Sequence, residues 1–290
     1  MTRIAVNGLS LNVETSGRGD GPALLLLHGF TRDARAWGPL LPCFEDYRTV
    51  RVDLIGHGKS DAPADPGRYS MAHAVDDLTA LLHHLDVERA ALLGYSLGGR
   101  VALHFAVEAP QMLWALVIES ASPGIEDDME RDARFASDAQ LAASIESDGI
   151  EAFAERWQAQ PLFASQRQLP AAVLDEQRRQ RLDNSTLGLA NSLRGMGAGA
   201  QRWLLPELPQ IDVPTVFLAG ALDQRYAALA PVMAAAVPNA EHHVVEGAGH
   251  TVHLEEPEAW SRLVTDFLAR HEPEPPGARK RRQPPGEADT

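Results

Sequence analysis

The stretch "RAALLGYSLGGRVAL" (residues 89–103) decides how the rest of the chain is understood. It opens with an apolar run that is typical of a buried strand and continues in residues that favour a helix. Ser96 lies between the two, with Gly94 and Gly98 two residues away on either side. Only small residues fit there, because the backbones approach closely at a sharp strand-to-helix turn. The pattern therefore predicts an exposed serine hydroxyl at a helix N-terminus, where negative charge is stabilised.

Similar apolar runs recur along the chain and indicate further strands. They lie at residues 23–29, 47–58, 113–120, 214–220 and 240–250, and the first 14 residues alternate like one more strand. Helical patterns separate these runs, for example at residues 71–86 and 98–110. Strands that alternate with helices at this spacing predict an α/β fold with a mostly parallel sheet and helices on both faces.

The alternation stops between Ser122 and Leu205, where only helical segments are evident. Such a block is typical of an insertion above the carboxyl edge of the sheet, where open α/β sheets bind ligands. The Pro-rich, charged C-terminus has almost no apolar residues, which predicts disorder. We therefore expect a core of residues 1–121 and 206–271, a helical cap of residues 122–205 and a disordered tail of residues 272–290.

Composition limits the classes of function. The chain has 290 residues, of which 44% are hydrophobic, and a net charge of −14. This charge argues against a nucleic-acid partner, because phosphate binding needs a basic face. No apolar run approaches the ~20 residues of a membrane helix, and the N-terminus lacks the apolar stretch of a signal peptide. We expect a soluble cytoplasmic protein, without membrane insertion, that is a monomer or a weak homo-oligomer.

A serine nucleophile needs a base, and the base needs a carboxylate that orients it. Asp223 follows the strand pattern at 214–220, and His250 follows the next one, so that both should meet Ser96 at the same sheet edge. His253 is a rival for the role of base, although a structural role on the following helix is the simpler interpretation. We expect the backbone N–H groups of Phe30 and Leu97 to form an oxyanion hole.

A metal site is a weaker interpretation of the histidines near the C-terminus. His242 and His243 alternate faces on a strand, and no carboxylate or cysteine falls at a recognised ligand spacing. The single cysteine, Cys43, excludes an internal disulfide and any Cys-rich zinc site. We expect no metal and no cofactor.

Taken together, these motifs resemble the α/β-hydrolase superfamily over roughly residues 3–270. The segments "HGF", "GYSLGGRVAL", "ESASPGI", "RWQAQPLFASQ", "LRGMGAGAQ" and "GALDQRY" are similar to those of the 2-succinyl-6-hydroxy-2,4-cyclohexadiene-1-carboxylate synthases of menaquinone (vitamin K2) biosynthesis. The resemblance implies a lyase that eliminates pyruvate from 2-succinyl-5-enolpyruvyl-6-hydroxy-3-cyclohexene-1-carboxylate. The triad then acts as a general base and needs no acyl-enzyme.

The arginine in the helix after the serine supports an anionic substrate. Residues i and i+4 share a helix face and side chains lean towards the N-terminus, so Arg100 should lie near Ser96. A guanidinium taken out of water needs either an anionic ligand or a protein carboxylate. Asp76 or Asp77 could be that carboxylate.

The family resemblance implies more substrate-binding residues. In the insert these are Arg131 and Arg181, with Arg134 as a near rival of Arg131. Outside it, Arg225 stands where the family commonly has lysine. Tyr95 and Trp157 match pocket residues, whereas Gln158 departs from relatives that carry tyrosine there. Several cations around one serine suit a substrate with several carboxylates, because arginine grips a carboxylate through paired hydrogen bonds.

Two other functions stay open from the sequence. A serine hydrolase of the same fold, acting on an ester or a carbon–carbon bond, would form an acyl-serine. A non-catalytic binding protein would use the fold without the chemistry, although all three triad residues are present here.

Overall fold

Eight strands form a single sheet in the computed structural model, which describes residues 2–273. Their order across the sheet is β1-β2-β4-β3-β5-β6-β7-β8. The strands are β1 (Thr2–Val6), β2 (Leu9–Gly17), β3 (Ala23–Leu27), β4 (Arg48–Val52), β5 (Ala90–Tyr95), β6 (Leu113–Glu119), β7 (Thr215–Gly220) and β8 (Ala240–Val245). All neighbours from β4 to β8 pair in parallel, which confirms the mostly parallel sheet.

Helices follow most of these strands. The α-helices of residues 2–273 are α1 (Met71–His84), α2 (Leu97–Glu108), α3 (Asp128–Gln158), α4 (Ala171–Leu182), α5 (Thr186–Met196), α6 (Gln224–Ala236), α7 (Val252–Glu255) and α8 (Pro257–His271). Within the described chain, no helix is both long and apolar enough to cross a membrane. Of the expected tail, only residues 272 and 273 belong to the described chain, and residues 274–290 lie outside it.

The central strand β3 shows why the sheet is covered on both sides. All five of its residues are buried. Successive side chains of a strand point to opposite faces, so Leu25 and Leu27 pack in one apolar core and Leu24 and Leu26 in another. This arrangement confirms the α/β fold with helices on both faces.

The N-terminus differs from the single strand that its alternation suggested. β1 and β2 form an antiparallel hairpin, and β2 also pairs antiparallel with β4. Asn7 and Gly8 make the turn with φ angles of 46° and 81°. Asn-Gly is a strong signal for a tight hairpin turn, because both residues tolerate positive φ. The Asn-Gly pair is therefore the feature of the sequence that indicates a hairpin here and not a single strand.

Three helices, α3, α4 and α5, lie in the segment between β6 and β7. The helix α3 is interrupted at Gly149, whose φ of 82° is not helical. The residues on either side of this glycine form two helical parts. The region from 122 to 205 is called the insert below.

Three buried histidines should make the fold sensitive to acid. Burial lowers the pKa of His28 to about 4 and the pKa values of His57 and His104 to about 3, from an ordinary value of 6.5. The Nε2 atom of His28 also accepts a hydrogen bond from the N–H of Leu54 at 3.0 Å, which requires an unprotonated nitrogen. Folding therefore favours the neutral form of these rings.

We expect the free energy of unfolding to fall as the pH drops below 6.5. The unfolded chain gains protons there while the folded histidines stay neutral until the pH reaches about 3–4. Three such groups give a slope of roughly 3–4 kcal/mol per pH unit near pH 5.5. Urea denaturation between pH 7 and pH 5 measures this slope of the free energy of unfolding against pH. His104→Gln should remove about a third of the slope, and a flat profile would contradict the expectation.

Candidate active site

Ser96 occupies the turn between β5 and α2 in a strained conformation, with φ 53° and ψ −109°. A side chain at Gly98 would collide with the backbone carbonyl of Leu27, and one at Gly94 would collide with the carbonyl of Gly98. The two glycines therefore allow β3, β5 and α2 to meet closely. This packing holds the serine at the carboxyl edge of the sheet, and such strain is typical of functional turns.

The three residues proposed as a triad lie in hydrogen-bonding contact. His250 Nε2 is 3.0 Å from Ser96 Oγ, and His250 Nδ1 is 2.7 Å from Asp223 Oδ2. Asp223 follows β7 and His250 follows β8, so the parallel sheet delivers both to the edge where Ser96 lies. With the Nδ1 proton donated to the carboxylate, Nε2 is the acceptor that can take the serine proton. The geometry is that of an activated hydroxyl.

His253, the rival base, has a different set of partners. Its backbone N–H and its Nδ1 both contact the carboxylate of Glu119, at 3.2 Å and 2.8 Å. Trp260 Nε1 donates to the other oxygen of the same carboxylate at 2.8 Å. Glu119 also accepts a hydrogen bond from the N–H of Ser96 through its backbone carbonyl. His253 therefore belongs to a buried network beneath the serine turn and does not contact the hydroxyl.

A cavity of about 540 Å³ opens above the triad. This volume is within the range of small-molecule sites. The core contributes Phe30 and Leu97 to its wall, and the insert contributes Trp157 and Phe163. The N–H of Leu97 is in the first turn of α2, where helices leave donors without partners. An oxyanion hole formed with the N–H of Phe30 stays a prediction.

Arg100 lines this cavity beside Ser96, as its position one turn along α2 suggested. Its Nη1 donates to the carbonyl of Met196 at 2.7 Å and to Gln201 Oε1 at 3.5 Å. Among residues 2–273, no carboxylate makes an ion pair with it. Burial, with a smaller contribution from the nearby Arg134, lowers the pKa of Arg100 to about 10. The guanidinium still carries its charge at neutral pH, its hydrogen-bond acceptors are neutral, and the carboxylate of Asp138 acts on it only through space.

The two acids considered as partners for Arg100 lie elsewhere. Asp77 accepts hydrogen bonds from Arg68 Nη2 at 2.6 Å and from Asn7 Nδ2 at 3.0 Å. Asp76 is exposed on α1. The protein therefore does not neutralise Arg100 through either residue.

The structure separates the two candidate arginines at the start of α3. Arg131 bonds to Asp128 and to the carbonyl of Ile125 at 3.1 Å, and it is not part of the cavity wall. Arg134 lines the cavity and donates to Asp138 Oδ1 at 2.8 Å. A helical turn separates the two side chains, so only the second one reaches the cavity. Of these two candidates, Arg134 is therefore the one that lines the large cavity, and a role of Arg131 in substrate binding stays a prediction without support from its position.

The remaining predicted binding residues divide between two cavities. Tyr95, Trp157 and Arg225 line the large cavity, and Tyr95 also bonds through its hydroxyl to Thr251 Oγ1 at 2.7 Å. Arg181 lines a smaller neighbouring cavity that shares Tyr95 and Trp157. Gln158, the departure from the family pattern, accepts a hydrogen bond from Arg181 Nη1. The glutamine therefore holds Arg181 in place.

Two residues near the site were not predicted from the sequence. Asp138 is buried and forms an ion pair with Arg134. The two residues are four positions apart on one helix, and this spacing could have predicted the pair. Arg32 is buried beside the small cavity, and its proximity to Phe30 in the sequence was the only hint. Within residues 2–273, no group of three or more His, Cys, Asp or Glu side chains could hold a metal ion.

Comparison with known proteins agrees with this geometry. The family model of the α/β hydrolase fold matches residues 22–257. A Bacillus subtilis (strain 168) protein, provisionally named 2-succinyl-6-hydroxy-2,4-cyclohexadiene-1-carboxylate synthase, is 38% identical over 90% of this chain and 96% of its own length. A Serratia proteamaculans (strain 568) protein named as the same synthase is 32% identical over 90% of this chain and 98% of its own. The chain belongs to this synthase family within the α/β hydrolases.

Solved structures support the assignment to this family. MenH from S. aureus superposes with a TM-score of 0.85 at 32% identity, covering 90% of this chain and 98% of that one. The enol-lactonase from Burkholderia xenovorans LB400 superposes with a TM-score of 0.81 at 25% identity, covering 92% and 100%. The same fold thus occurs in a synthase family and in a lactonase.

Proposed function

We propose that this protein is a carbon–oxygen lyase that converts 2-succinyl-5-enolpyruvyl-6-hydroxy-3-cyclohexene-1-carboxylate into 2-succinyl-6-hydroxy-2,4-cyclohexadiene-1-carboxylate and pyruvate. The observation that carries the proposal is Arg100, which lines the same cavity as Ser96 and makes no ion pair with a carboxylate of residues 2–273. A neutral ester gains nothing from such a charge. A substrate with several carboxylates does, and the names of the relatives point to that substrate.

The cationic side chains of the large cavity suit the three carboxylates of this substrate. Arg100 and Arg225 make no ion pair within residues 2–273, and Arg134 bonds to Asp138 through its Nε alone, which leaves its terminal N–H groups for substrate. Bidentate contacts between arginine and carboxylate fix orientation as well as position. Tyr95 and Trp157 supply apolar walls for the ring. Together these groups would hold the substrate in a reactive pose.

The elimination needs a base at a ring carbon. His250, oriented by Asp223, takes the proton of Ser96, and the serine oxygen removes a proton from the ring. The electron pair moves through the ring and breaks the carbon–oxygen bond to the enolpyruvyl group. The imidazolium of His250 then returns its proton to the departing enolpyruvate, which becomes pyruvate. No bond forms between Ser96 and the substrate.

Negative charge that develops on the succinyl carbonyl needs donors that already point to it. The N–H groups of Phe30 and Leu97 are our candidates, because both residues line the cavity next to Ser96. The insert would act as a cap over residues 1–121 and 206–271, since its residues form part of the same wall. A cytoplasmic location and a monomer or weak homo-oligomer complete the proposal.

The test is to follow pyruvate release from the enolpyruvyl cyclohexene substrate with a lactate dehydrogenase coupled assay. We expect turnover that is saturable, with no covalent adduct on the protein by mass spectrometry. The same preparation should show little hydrolysis of neutral p-nitrophenyl esters. Rapid ester hydrolysis with an acyl-serine, and no pyruvate, would establish the serine hydrolase instead.

A further inference from the structure

Tyr226 lines the large cavity, although the sequence did not identify it as a binding residue. It lies in the first turn of α6, directly after Asp223, which caps that helix. Helical side chains lean towards the N-terminus of their helix, so the ring turns back towards the sheet edge. Its ring centroid is 4.9 Å from that of His250. The phenol of Tyr226 therefore lies beside the proposed triad.

The hydroxyl of Tyr226 has no hydrogen-bond partner within residues 2–273, and it is not among the fully buried polar atoms of that range. Its neighbours in the site offer no free acceptor. His250 uses Nδ1 for Asp223 and Nε2 for Ser96. Arg100 has only donors. The hydroxyl is therefore left to bond to whatever fills the cavity.

Arg100 is the charged group that Tyr226 accompanies. Burial has the largest effect on the pKa of Arg100 and lowers it, and of the residues that act on this pKa through space Tyr226 has the largest effect. The hydrogen bonds of Arg100 within residues 2–273 all use Nη1, so Nε and Nη2 remain for a ligand. The helices α2 and α6 thus bring a guanidinium and a phenol to one cavity.

A carboxylate is the ligand that suits this pair of groups. Its two oxygens offer about four acceptor sites, so it can accept from a guanidinium and from a hydroxyl at the same time. Hydrogen bonds between a hydroxyl and a carboxylate are short and strong. A substrate that displaces water from the cavity also has to replace the bond of the hydroxyl to water, since an unpaired polar group is costly.

We propose that Tyr226 is a further substrate-binding residue, whose hydroxyl donates a hydrogen bond to the same substrate carboxylate that Arg100 binds. This role rests on the proposed function and deepens it, because it assigns one carboxylate of the substrate to a defined pair of side chains. The two groups belong to the helices that follow β5 and β7. The sheet edge that aligns the triad therefore also aligns this carboxylate subsite.

Tyr226→Phe tests the role of the hydroxyl, because it keeps the ring against His250 and removes only the oxygen. We expect the KM for pyruvate release to rise about 10- to 50-fold, as for the loss of a hydrogen bond to a charged group. The kcat should stay nearly unchanged, since the carboxylate is charged in both the ground state and the transition state. A KM within about twofold of the unmodified value would overturn the inference. A loss confined to kcat would also overturn it and assign the hydroxyl to the chemical step.

Tyr47→Phe is the matched control, because it makes the same chemical change away from the cavity. Tyr47 is buried in the apolar core that contains Leu24 and Leu26, and it is not part of the cavity wall. We expect its KM to stay within about twofold of the unmodified value. An equal rise of KM in both variants would show a general effect on packing and refute the role of Tyr226.

A double variant tests whether Tyr226 and Arg100 bind one carboxylate. Changes at two residues that share a partner are not additive, whereas changes at independent sites are. In an Arg100→Met background, Tyr226→Phe should therefore lower kcat/KM by less than about threefold. A further loss as large as that in the unmodified background would assign the hydroxyl to a different carboxylate and contradict the shared subsite.

Titration calorimetry with 2-oxoglutarate separates a failure of this inference from a failure of the proposed lyase function. The probe is a dicarboxylate whose keto acid chain resembles the succinyl group of the substrate, and it has no enolpyruvyl group to lose. We expect Tyr226→Phe to raise the Kd of the probe at least about fivefold, and Tyr47→Phe to leave it unchanged. Equal Kd values for Tyr226→Phe and the unmodified protein, or no binding to either, would overturn the inference. Absence of pyruvate release from the unmodified protein would refute the lyase alone, because binding of the probe is measured without turnover.

Discussion

Replacement of Ser96 by alanine is expected to lower the kcat of pyruvate release by about 10³-fold, with little change in KM. The hydroxyl is the proposed base and is 3.0 Å from His250 Nε2, so its loss removes proton transfer and leaves the binding groups in place. General-base catalysis of this kind contributes about 10²–10⁴-fold. A loss confined to kcat identifies an interaction that exists only in the transition state. Steady-state pyruvate release measures both constants.

Ser192 offers a matched control, because it is a second serine that lines the same cavity. Its hydroxyl is buried and does not contact His250. Ser192→Ala should keep kcat within about threefold of the unmodified protein. If Ser96→Ala retained full pyruvate release, the hydroxyl would not be the base and the proposed mechanism would be refuted.

Replacement of Arg100 by methionine is expected to reduce kcat/KM by roughly 100-fold or more while leaving the protein stable. Loss of one charged partner in a desolvated pair costs about 2–5 kcal/mol of binding. The folded protein itself loses only contacts to Met196 and Gln201. It also gains from the removal of a charge that is costly to bury. The free energy of unfolding should therefore change by less than about 1 kcal/mol.

Arg134→Met is the matched comparison in the same cavity. Arg134 is bonded to the buried carboxylate of Asp138, which would be left without its ion-pair partner. We expect a loss of about 1–2 kcal/mol of stability, reduced by the partial exposure of the arginine, and a smaller loss of kcat/KM. Urea denaturation measures the stability of both variants, and steady-state kinetics measure their kcat/KM. A stable Arg134→Met protein with the larger kinetic defect would reverse the roles that we assign to the two residues.

Much of the fold could be predicted because its central strands are buried on both faces. A strand such as β3, with five buried residues, leaves a continuous apolar run in the sequence, and a short run of this kind before a glycine is typical of a parallel strand. The N-terminal hairpin was missed because both of its strands alternate with the same period. Only the turn at Asn7 and Gly8 separates them. The interruption of α3 at Gly149 could be expected, because glycine is unfavourable inside a helix and separates two helical patterns there.

The residues of the candidate site also differ in how well the sequence predicts them. Ser96, Asp223 and His250 could be proposed because each follows a strand, and the parallel sheet brings strand ends together. The arginines of the insert were harder, because residues three apart on a helix lie near the same face and the sequence does not show which of them reaches the cavity. Arg131 and Arg134 are three residues apart, and their side chains have separate partners. Arg32 shows a further difficulty, since its burial depends on the position of α4.

The spacing of Ser96 and His250 along the chain also affects how the enzyme is made. These residues are 154 positions apart, which corresponds to about 8–30 s of translation at about 5–20 residues per second. During that interval the nascent polypeptide carries its hydroxyl without its imidazole. The proposed triad can therefore be complete only after the last of the eight described strands has been synthesised.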